Sequence, residues 1–349
     1  MDSKSMTTKQ KALVVSIISF AITFLSLILA LKLATKTTPA LANGDWFEDL
    51  FFGPPPSYIV HPTTDTWIPP SWFPQRDREK LFELEGLRGE VTAELLKKGP
   101  RIKARAAIVY DLDRGEILYA KNPDERWPVA SLTKVVSALT LASLEQNNLE
   151  ERLGEDICMD RTLYANFPGA LTKFRRDTCV KGWDLLGAAL VKSDNGGAFA
   201  MADIADVTHG PFINQMNTVA QDLGMTQSEF VDPAGVNDEN LSTARDMTMA
   251  TIASGHHEII HIPASASQWD AKYKPGQSTR RLYSTNRYSQ AEDIDFYTAK
   301  TGYTSTARNC FTAVFTKKGR RLAVTTLGTY KSSHRWSDFN KLVNWSLKQ

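Results

Sequence analysis

The chain contains 349 residues, of which 42% are hydrophobic and 23% are charged. These fractions are ordinary for a globular protein and exclude wholesale disorder and a fibrous repeat. Lysine and arginine together number 41, against 39 aspartate and glutamate residues, so the charge balance gives no reason to expect nucleic acid as a partner. Three cysteines are too few for a disulfide-dense scaffold or a four-thiolate zinc site.

An uncharged apolar run covers residues 12–31. Its length matches the roughly 20 residues that a helix needs to cross the hydrocarbon core of a bilayer. We favour a retained membrane anchor within residues 1–42. The alternative is a cleaved signal peptide, for which Ala40-Leu41-Ala42 is a suitable cleavage site. Both interpretations export the rest of the chain across the cytoplasmic membrane.

Residues 43–100 are predicted to form a spacer followed by a helix. Proline and aromatic residues are dense in residues 43–75, and such proline density prevents regular helix and interior strand. The aromatic side chains of this spacer are candidates for docking on the rest of the chain, on the membrane surface or on a partner protein of the envelope. Leucine and valine at helical spacing predict an amphipathic helix over residues 76–98.

Residues 101–349 are predicted to form one domain of mixed α and β structure. Helical periodicity appears at residues 131–146 and 182–191. Apolar runs separated by glycine-containing turns predict a hairpin near each end of the domain. The predicted strands are 106–111, 117–120, 293–301, 311–316 and 322–327. This order favours an α+β fold in which an antiparallel sheet is combined with a helical cluster.

Export would permit a disulfide bond, because oxidising compartments preserve paired thiols. Cys158 and Cys179 could pair and leave Cys310 free. The sequence alone leaves both the paired and the unpaired state open.

Three short motifs carry groups suited to nucleophilic catalysis: Ser131-Leu132-Thr133-Lys134, Ser193-Asp194-Asn195 and Lys300-Thr301-Gly302. A serine hydroxyl is a weak nucleophile until a base takes its proton. Ser-x-x-Lys at the start of a helix places the hydroxyl and the amine on one face, a turn apart. A second cation, Lys300, is expected to lower the pKa of Lys134 so that it acts as a base. Each motif alone is common, whereas the trio in this order is specific.

The trio and its flanking blocks resemble the D-alanyl-D-alanine carboxypeptidases and their D,D-endopeptidase relatives, the low-molecular-mass penicillin-binding proteins. The resemblance covers residues 105–345, and its blocks are 127–134, 223–225, 230–236, 241–247 and 300–304. It implies a β-lactamase/transpeptidase-like fold and a serine hydrolase that needs no metal or other cofactor. It also implies peptidoglycan stem peptides as substrates, β-lactam antibiotics as covalent inhibitors and a periplasmic catalytic domain.

The same resemblance implies the roles of the groups that would move protons. Ser131 would attack the D-Ala-D-Ala carbonyl and carry the acyl group, and Lys134 would be its general base. Ser193 with Lys300 would pass a proton to the leaving amine. Asn195 would bind the amide on the acyl side.

The resemblance further implies how the substrate would be bound. Backbone N–H groups of Ser131 and Tyr303 would form the oxyanion hole. Lys300 and Thr301 would bind the terminal carboxylate, and Gly302 would let the substrate backbone approach closely.

Two features bear on the subtype. Residues 303–349 follow the last motif and leave no room for the extra C-terminal β domain of many carboxypeptidases in this family. The second motif is Ser-Asp-Asn where those enzymes often have Ser-Gly-Asn. Both features are similar to the shorter D,D-endopeptidases, which cut D-Ala–diaminopimelate cross-links. We expect a D-Ala-D-Ala carboxypeptidase, with endopeptidase activity as the first alternative.

Two other functions are weighed against these. A class A β-lactamase shares the trio but needs a deacylating Glu in a Glu-x-x-Leu-Asn loop, and the candidate at Glu229 lacks the Leu-Asn. A non-catalytic, membrane-tethered wall scaffold would use the spacer for docking, but intact motifs argue against a dead enzyme.

Residues 257–261 match His-Glu-x-x-His, the helix motif of zinc proteases. Pro263 is predicted to end this helix almost at once, and no His-x-x-Gly-x-x-His extension follows to supply a third ligand. We interpret both histidines as surface residues and expect no metal site.

Overall fold

The computed structural model describes Leu87 and residues 91–144, 148–158, 179–272 and 279–349. The predicted membrane segment at residues 12–31 and the spacer lie outside these residues. No helix in the described part of the chain is both long and apolar enough to cross a membrane.

A five-stranded antiparallel sheet forms the centre of the domain. The strand order is β2-β1-β11-β10-β9, so the two predicted hairpins join into one sheet through pairing of β1 with β11. These strands are β1 (Ala106–Asp111), β2 (Glu116–Lys121), β9 (Asp295–Thr304), β10 (Arg308–Lys317) and β11 (Arg320–Thr329). The strand predicted over residues 293–301 therefore begins two residues later and runs through the whole third motif.

Short two-stranded pairs lie outside this sheet. They are formed by β3 (Trp127–Pro128) with β6 (Leu241–Ser242), β4 (Asp156–Cys158) with β5 (Cys179–Lys181), and β7 (Gln268–Lys272) with β8 (Thr279–Tyr283). The first pair lies next to the predicted nucleophile, because β3 leads directly into Ser131.

Helices cover both faces of the central sheet. In chain order they are α1 (Thr133–Leu144), α2 (Leu149–Gly154), α3 (Gly182–Val191), α4 (Asn195–Ile204), α5 (His209–Asp222), α6 (Ala244–Gly255), α7 (Glu258–Ser265) and α8 (Ser332–Ser346). The prediction of an antiparallel sheet with a helical cluster is confirmed.

The two faces of the sheet have separate apolar cores. On one face α8 packs its Phe339 against Phe311 and Phe315 of β10, with ring centroids 5.2 and 5.5 Å apart. The other face belongs to the helical cluster, in which α1 is buried along almost its entire length. Burial extends to its polar residues Thr133, Lys134 and Ser137, so the first turns of α1 lie inside the packed cluster.

The cysteine pairing left open by the sequence is resolved by β4 and β5. Cys158 and Cys179 lie directly opposite each other in this pair and form a disulfide bond. Cys310 is a buried free thiol. Burial raises its pKa to about 12, which keeps it in the unreactive thiol form.

The helix predicted over residues 76–98 is wrong where the structure describes it. Residues 91–98 form turns and a single 3₁₀ turn, Leu95–Lys97. The Thr92 hydroxyl accepts a hydrogen bond from the backbone N–H of Leu95 at 3.1 Å, so it caps this short turn. Gly99 then reverses the chain with φ +95°, a conformation that ends a helix.

Candidate active site

Ser131 lies in a 3₁₀ turn, Ala130–Leu132, that joins β3 to α1. Ala130 has a left-handed backbone, with φ +48°, which is costly for a residue with a side chain. Two hydrogen bonds stabilise the turn: Thr133 Oγ1 donates to the Ala130 carbonyl at 2.8 Å, and the Val129 N–H donates to the Asn240 carbonyl at 3.1 Å. Contacts with neighbouring segments therefore hold a strained backbone in place, as is common at catalytic residues.

Two glycines from other segments pack against this turn. A Cβ on Gly235, which has φ +73°, would approach the Ala130 carbonyl oxygen to 1.9 Å. A Cβ on Gly302 would approach the Val129 carbonyl oxygen to 2.8 Å. The nucleophile turn is therefore enclosed by backbone at positions where no side chain fits.

Lys134 is completely buried below Ser131. Its Nζ lies 2.9 Å from Ser131 Oγ, 2.7 Å from Asn195 Oδ1 and 2.6 Å from the Ala234 carbonyl oxygen. Burial lowers the pKa of Lys134 to about 7, while the nearby charges of Asp194 and Asp232 act in the opposite direction. Desolvation is therefore the main cause of the lowered pKa of Lys134, ahead of the second cation that the sequence analysis expected.

The second motif forms the turn between α3 and α4. Ser193 has φ +65°, and the Asp194 carboxylate caps α4 by accepting the Gly197 N–H at 2.8 Å. Aspartate is among the strongest N-cap residues, which explains Ser-Asp-Asn in this chain. The cap fixes Asn195 as the first residue of α4, where its side chain reaches Lys134.

Lys300 lies in β9, at the edge of the sheet, and is also buried. Its Nζ donates to Ser193 Oγ at 2.7 Å and to the Thr301 carbonyl at 3.0 Å. Burial lowers the pKa of Lys300 well below its usual value, and the positive charges of Lys134 and Arg335 lower it further. This repulsion between the two ammonium groups is reciprocal, so the like-charge effect expected from Lys300 acts between the two lysines.

The other two residues of the third motif lie along the edge of the sheet. The Thr301 hydroxyl donates to Thr285 Oγ1 at 2.6 Å, and the Thr285 N–H donates to the Val191 carbonyl at the end of α3. Gly302 places β9 beside the Ser131 N–H. Tyr303 follows in β9 and has an exposed side chain.

The sequence analysis did not identify the loop at residues 230–236 as a neighbour of Lys134. The block at residues 230–236 was matched to the family without a role for any residue. In the structure it presents the Ala234 carbonyl to Lys134 Nζ. The only sequence signal was Asp-Pro-Ala-Gly, a typical turn composition.

Arg335 was also missed. It belongs to α8, is only 8% exposed, and donates through Nη1 to the carbonyls of Gly302 and Cys310 at 3.3 Å each. It therefore brings a third cation to the Lys300 side of the site. No local pattern marks it, because the contact joins the C-terminal helix to an edge strand.

The two histidines of the His-Glu-x-x-His segment pack against the protein and are not arranged as metal ligands. His257 precedes α7 and is buried rather than exposed, which corrects our interpretation of a surface residue. His261 Nδ1 lies 2.7 Å from the Tyr297 carbonyl oxygen. Pro263 lies within α7, which continues to Ser265. Among the described residues, no group of three or more His, Cys, Asp and Glu side chains is arranged to hold a metal ion.

A serine within hydrogen-bond distance of a buried lysine of depressed pKa, beside a second serine–lysine pair, defines a class of site. It is the arrangement of an acyl-transfer enzyme whose hydroxyl nucleophile is activated by an amine. The chain belongs to the D-alanyl-D-alanine carboxypeptidase family, whose sequence profile matches residues 93–331. Acyl transfer through a serine is the general mechanism of that family.

Individual relatives include both peptidase types. The chain is 26% identical to a D-alanyl-D-alanine endopeptidase of Escherichia coli K12, over 70% of this chain and 78% of the relative. It is 26% identical to the D-alanyl-D-alanine carboxypeptidase DacF of Bacillus subtilis, over 75% of this chain and 65% of the relative. Penicillin-binding protein D2 of Listeria monocytogenes, solved with cefotaxime, has a TM-score of 0.60 at 26% identity and covers 71% of this chain and 98% of its own. The fold is that of penicillin-binding proteins and transpeptidases.

Proposed function

We propose that this chain is a serine D,D-peptidase that hydrolyses peptidoglycan stem peptides through an acyl-enzyme on Ser131. The observation that carries the proposal is the 2.9 Å contact between Ser131 Oγ and the buried Lys134 amine, whose pKa is lowered to about 7. A base is most effective when its pKa lies near the working pH.

Acylation would begin with transfer of the Ser131 proton to Lys134 as Oγ bonds to the carbonyl carbon of D-alanine. The negative charge formed on the carbonyl oxygen would be stabilised by the backbone N–H groups of Ser131 and Tyr303. Asn195 would hold the acyl-side amide in line with the nucleophile.

Departure of the leaving group requires a proton on its nitrogen. Ser193 would donate that proton and take another from Lys300, which contacts it at 2.7 Å. The terminal carboxylate would bind Thr301 and the cations Lys300 and Arg335, and its negative charge would raise the pKa of Lys300. Water would then hydrolyse the ester and restore Ser131.

Carboxypeptidase activity on D-Ala-D-Ala ends is our first assignment. Endopeptidase activity on D-Ala–diaminopimelate cross-links is the second candidate. It is favoured by the coverage of the relatives, since the chain spans 78% of the Escherichia coli endopeptidase and 65% of the carboxypeptidase DacF.

One experiment separates these activities. The full chain, the Ser131→Ala variant and a matched Ser143→Ala control on α1 would each be incubated with pentapeptide monomers and with cross-linked dimers. Loss of one alanine from monomers identifies a carboxypeptidase, and conversion of dimers to monomers identifies an endopeptidase. Both products should be absent with Ser131→Ala and unchanged with Ser143→Ala. Product formation by Ser131→Ala would contradict the proposal.

β-Lactam antibiotics are proposed as covalent inhibitors at the same serine. The cefotaxime complex of the Listeria neighbour supports this assignment. A fluorescent penicillin should label the full chain and leave Ser131→Ala unlabelled. Rapid hydrolysis of a chromogenic cephalosporin would instead indicate a β-lactamase.

We further propose that residues 1–42 contain a membrane anchor and that residues 101–349 act in the periplasm. The apolar run at residues 12–31 and the disulfide between Cys158 and Cys179 support export. Residues 43–100 would connect the two parts, and residues 43–75 would contact an envelope protein. Deletion of residues 43–75 should change localisation without changing activity in solution, and an equal loss of activity would contradict the docking role.

A further inference from the structure

Asp232 organises the loop whose Ala234 carbonyl contacts Lys134. It is largely buried, and both carboxylate oxygens accept hydrogen bonds from the residues that follow it. The donors are the backbone N–H groups of Ala234 (2.7 Å), Gly235 (2.6 Å), Val236 (3.3 Å) and Asn237 (2.7 Å) and the side-chain amide of Asn240 (2.6 Å). The loop backbone is thus folded around a single carboxylate.

This fold of the loop leaves the Ala234 carbonyl directed at Lys134 Nζ, 2.6 Å away. Two further contacts fix the loop against the nucleophile turn. Ser137 of α1 donates to the Pro233 carbonyl at 2.7 Å, and Gly235 lies in close contact with the Ala130 carbonyl. These contacts hold the Ala234 carbonyl oxygen in place, because a closely packed interior leaves little room for it to move.

Counting hydrogens on Lys134 shows what this carbonyl does. A neutral amine has two N–H donors and one lone pair, and Nζ has three oxygen neighbours. The Asn195 and Ala234 oxygens only accept hydrogen bonds, whereas the Ser131 hydroxyl can also donate. The two donors are used by Asn195 and Ala234, and the lone pair is left facing Ser131.

We propose that Asp232 is a positioning residue for the general base, because it holds the Ala234 carbonyl that directs the Lys134 lone pair at Ser131. The inference rests on the proposed function, in which Lys134 takes the serine proton. When that proton moves from Oγ to Nζ, the ammonium has three donors for its three acceptors. Both protonation states of Lys134 are then fully hydrogen-bonded.

Asp232 also acts through its charge. Asp194 and Asp232 both raise the pKa of Lys134 against the effect of burial, and Lys300 is the cation on the other side. An Asp232→Asn variant loses one of the two anions, so the pKa of Lys134 should fall below about 7. The acidic limb of the pH profile should therefore move to lower pH while the plateau rate decreases.

The test measures the rate constant for labelling of the full chain by a fluorescent penicillin between pH 5.5 and 9. For Asp232→Asn we expect a plateau rate reduced roughly 10- to 100-fold by misplacement of the base, with the acidic limb shifted downward. The matched control, Asp222→Asn, changes an exposed aspartate at the end of α5 and should match the wild type.

A second variant, Ser137→Ala, perturbs the same loop without removing a charge. Its plateau rate should fall by about 2- to 10-fold, and its acidic limb should stay at the wild-type pH. This variant decides the question if Asp232→Asn does not fold. A folded Asp232→Asn with the wild-type plateau and limb, or a Ser137→Ala with the wild-type plateau, would overturn the inference. Absence of labelling in the wild type itself would overturn the proposed function instead.

Discussion

The two buried lysines of the site differ in the charges around them. Lys134 has two aspartates nearby, Asp194 and Asp232, and its pKa is lowered only to about 7. Lys300 is equally buried, but the charges that affect it are those of two other cations, Lys134 and Arg335. Both amines contact a serine hydroxyl, at 2.9 and 2.7 Å. The two sides therefore share a lysine–serine contact and differ in the charged groups around the amine.

This difference indicates how one site can hold a base and an anion-binding group at neutral pH. The charges of Asp194 and Asp232 keep the pKa of Lys134 near neutral pH, so that both its neutral and its charged form are populated. The cations near Lys300 favour its neutral form, and a substrate carboxylate bound there would favour its charged form. Binding of the substrate would therefore complete the charge balance on the Lys300 side only.

The largest effect is expected from removing the base itself. Lys134→Met keeps most of the buried volume but removes the amine, so penicillin labelling and peptide cleavage should fall by about 10²- to 10⁴-fold. Stopped-flow labelling would measure this loss, with Lys341→Met on the exposed face of α8 as the control. A Lys134→Met variant that keeps the wild-type rate would show that another group takes the proton.

A smaller loss of activity is expected from removing the second lysine, Lys300. Lys300→Met should reduce kcat/KM by about 100-fold, because it removes both the partner of Ser193 and a cation for the carboxylate. The same variant should lose the preference for a substrate with a free terminal carboxylate over its carboxamide. Steady-state kinetics on the two substrates measures this ratio, and an unchanged ratio would mean that the carboxylate binds elsewhere.

The pH dependence follows from the pKa of Lys134. Its neutral form is the base, and the pKa is lowered to about 7, so the labelling rate should rise as pH increases through 7. The rate at pH 6 should be about one-tenth of the plateau value above pH 8, because one pKa unit changes the neutral fraction roughly tenfold. A profile that is flat from pH 6 to 9 would contradict this assignment of the base.

The smallest effect concerns the contact between Thr301 and Thr285. Thr285→Val removes the acceptor that orients the Thr301 hydroxyl and should raise KM for carboxylate substrates by about 2- to 10-fold. Thr285→Ser restores a hydroxyl and should recover most of the loss. If valine and serine behave alike, the hydroxyl of Thr285 has no part in substrate binding.

The sequence predicted those parts of the site that are local in the chain. Ser-x-x-Lys at the beginning of a helix places both side chains within one helical turn, and the strand predicted over residues 293–301 already contains Lys300. The contributions of Asp232 and Arg335 were not predictable in this way, because each acts through contacts between segments distant in sequence. Burial of His257 also depends on neighbours that no local pattern encodes.

The close approach of Gly235 and Gly302 to the nucleophile turn limits how this site could change under selection by antibiotics. Any side chain at either position would collide with the backbone that fixes Ser131, and peptide hydrolysis would be lost together with antibiotic binding. Variants that lose β-lactam binding but keep peptide hydrolysis are therefore expected at positions other than Gly235 and Gly302.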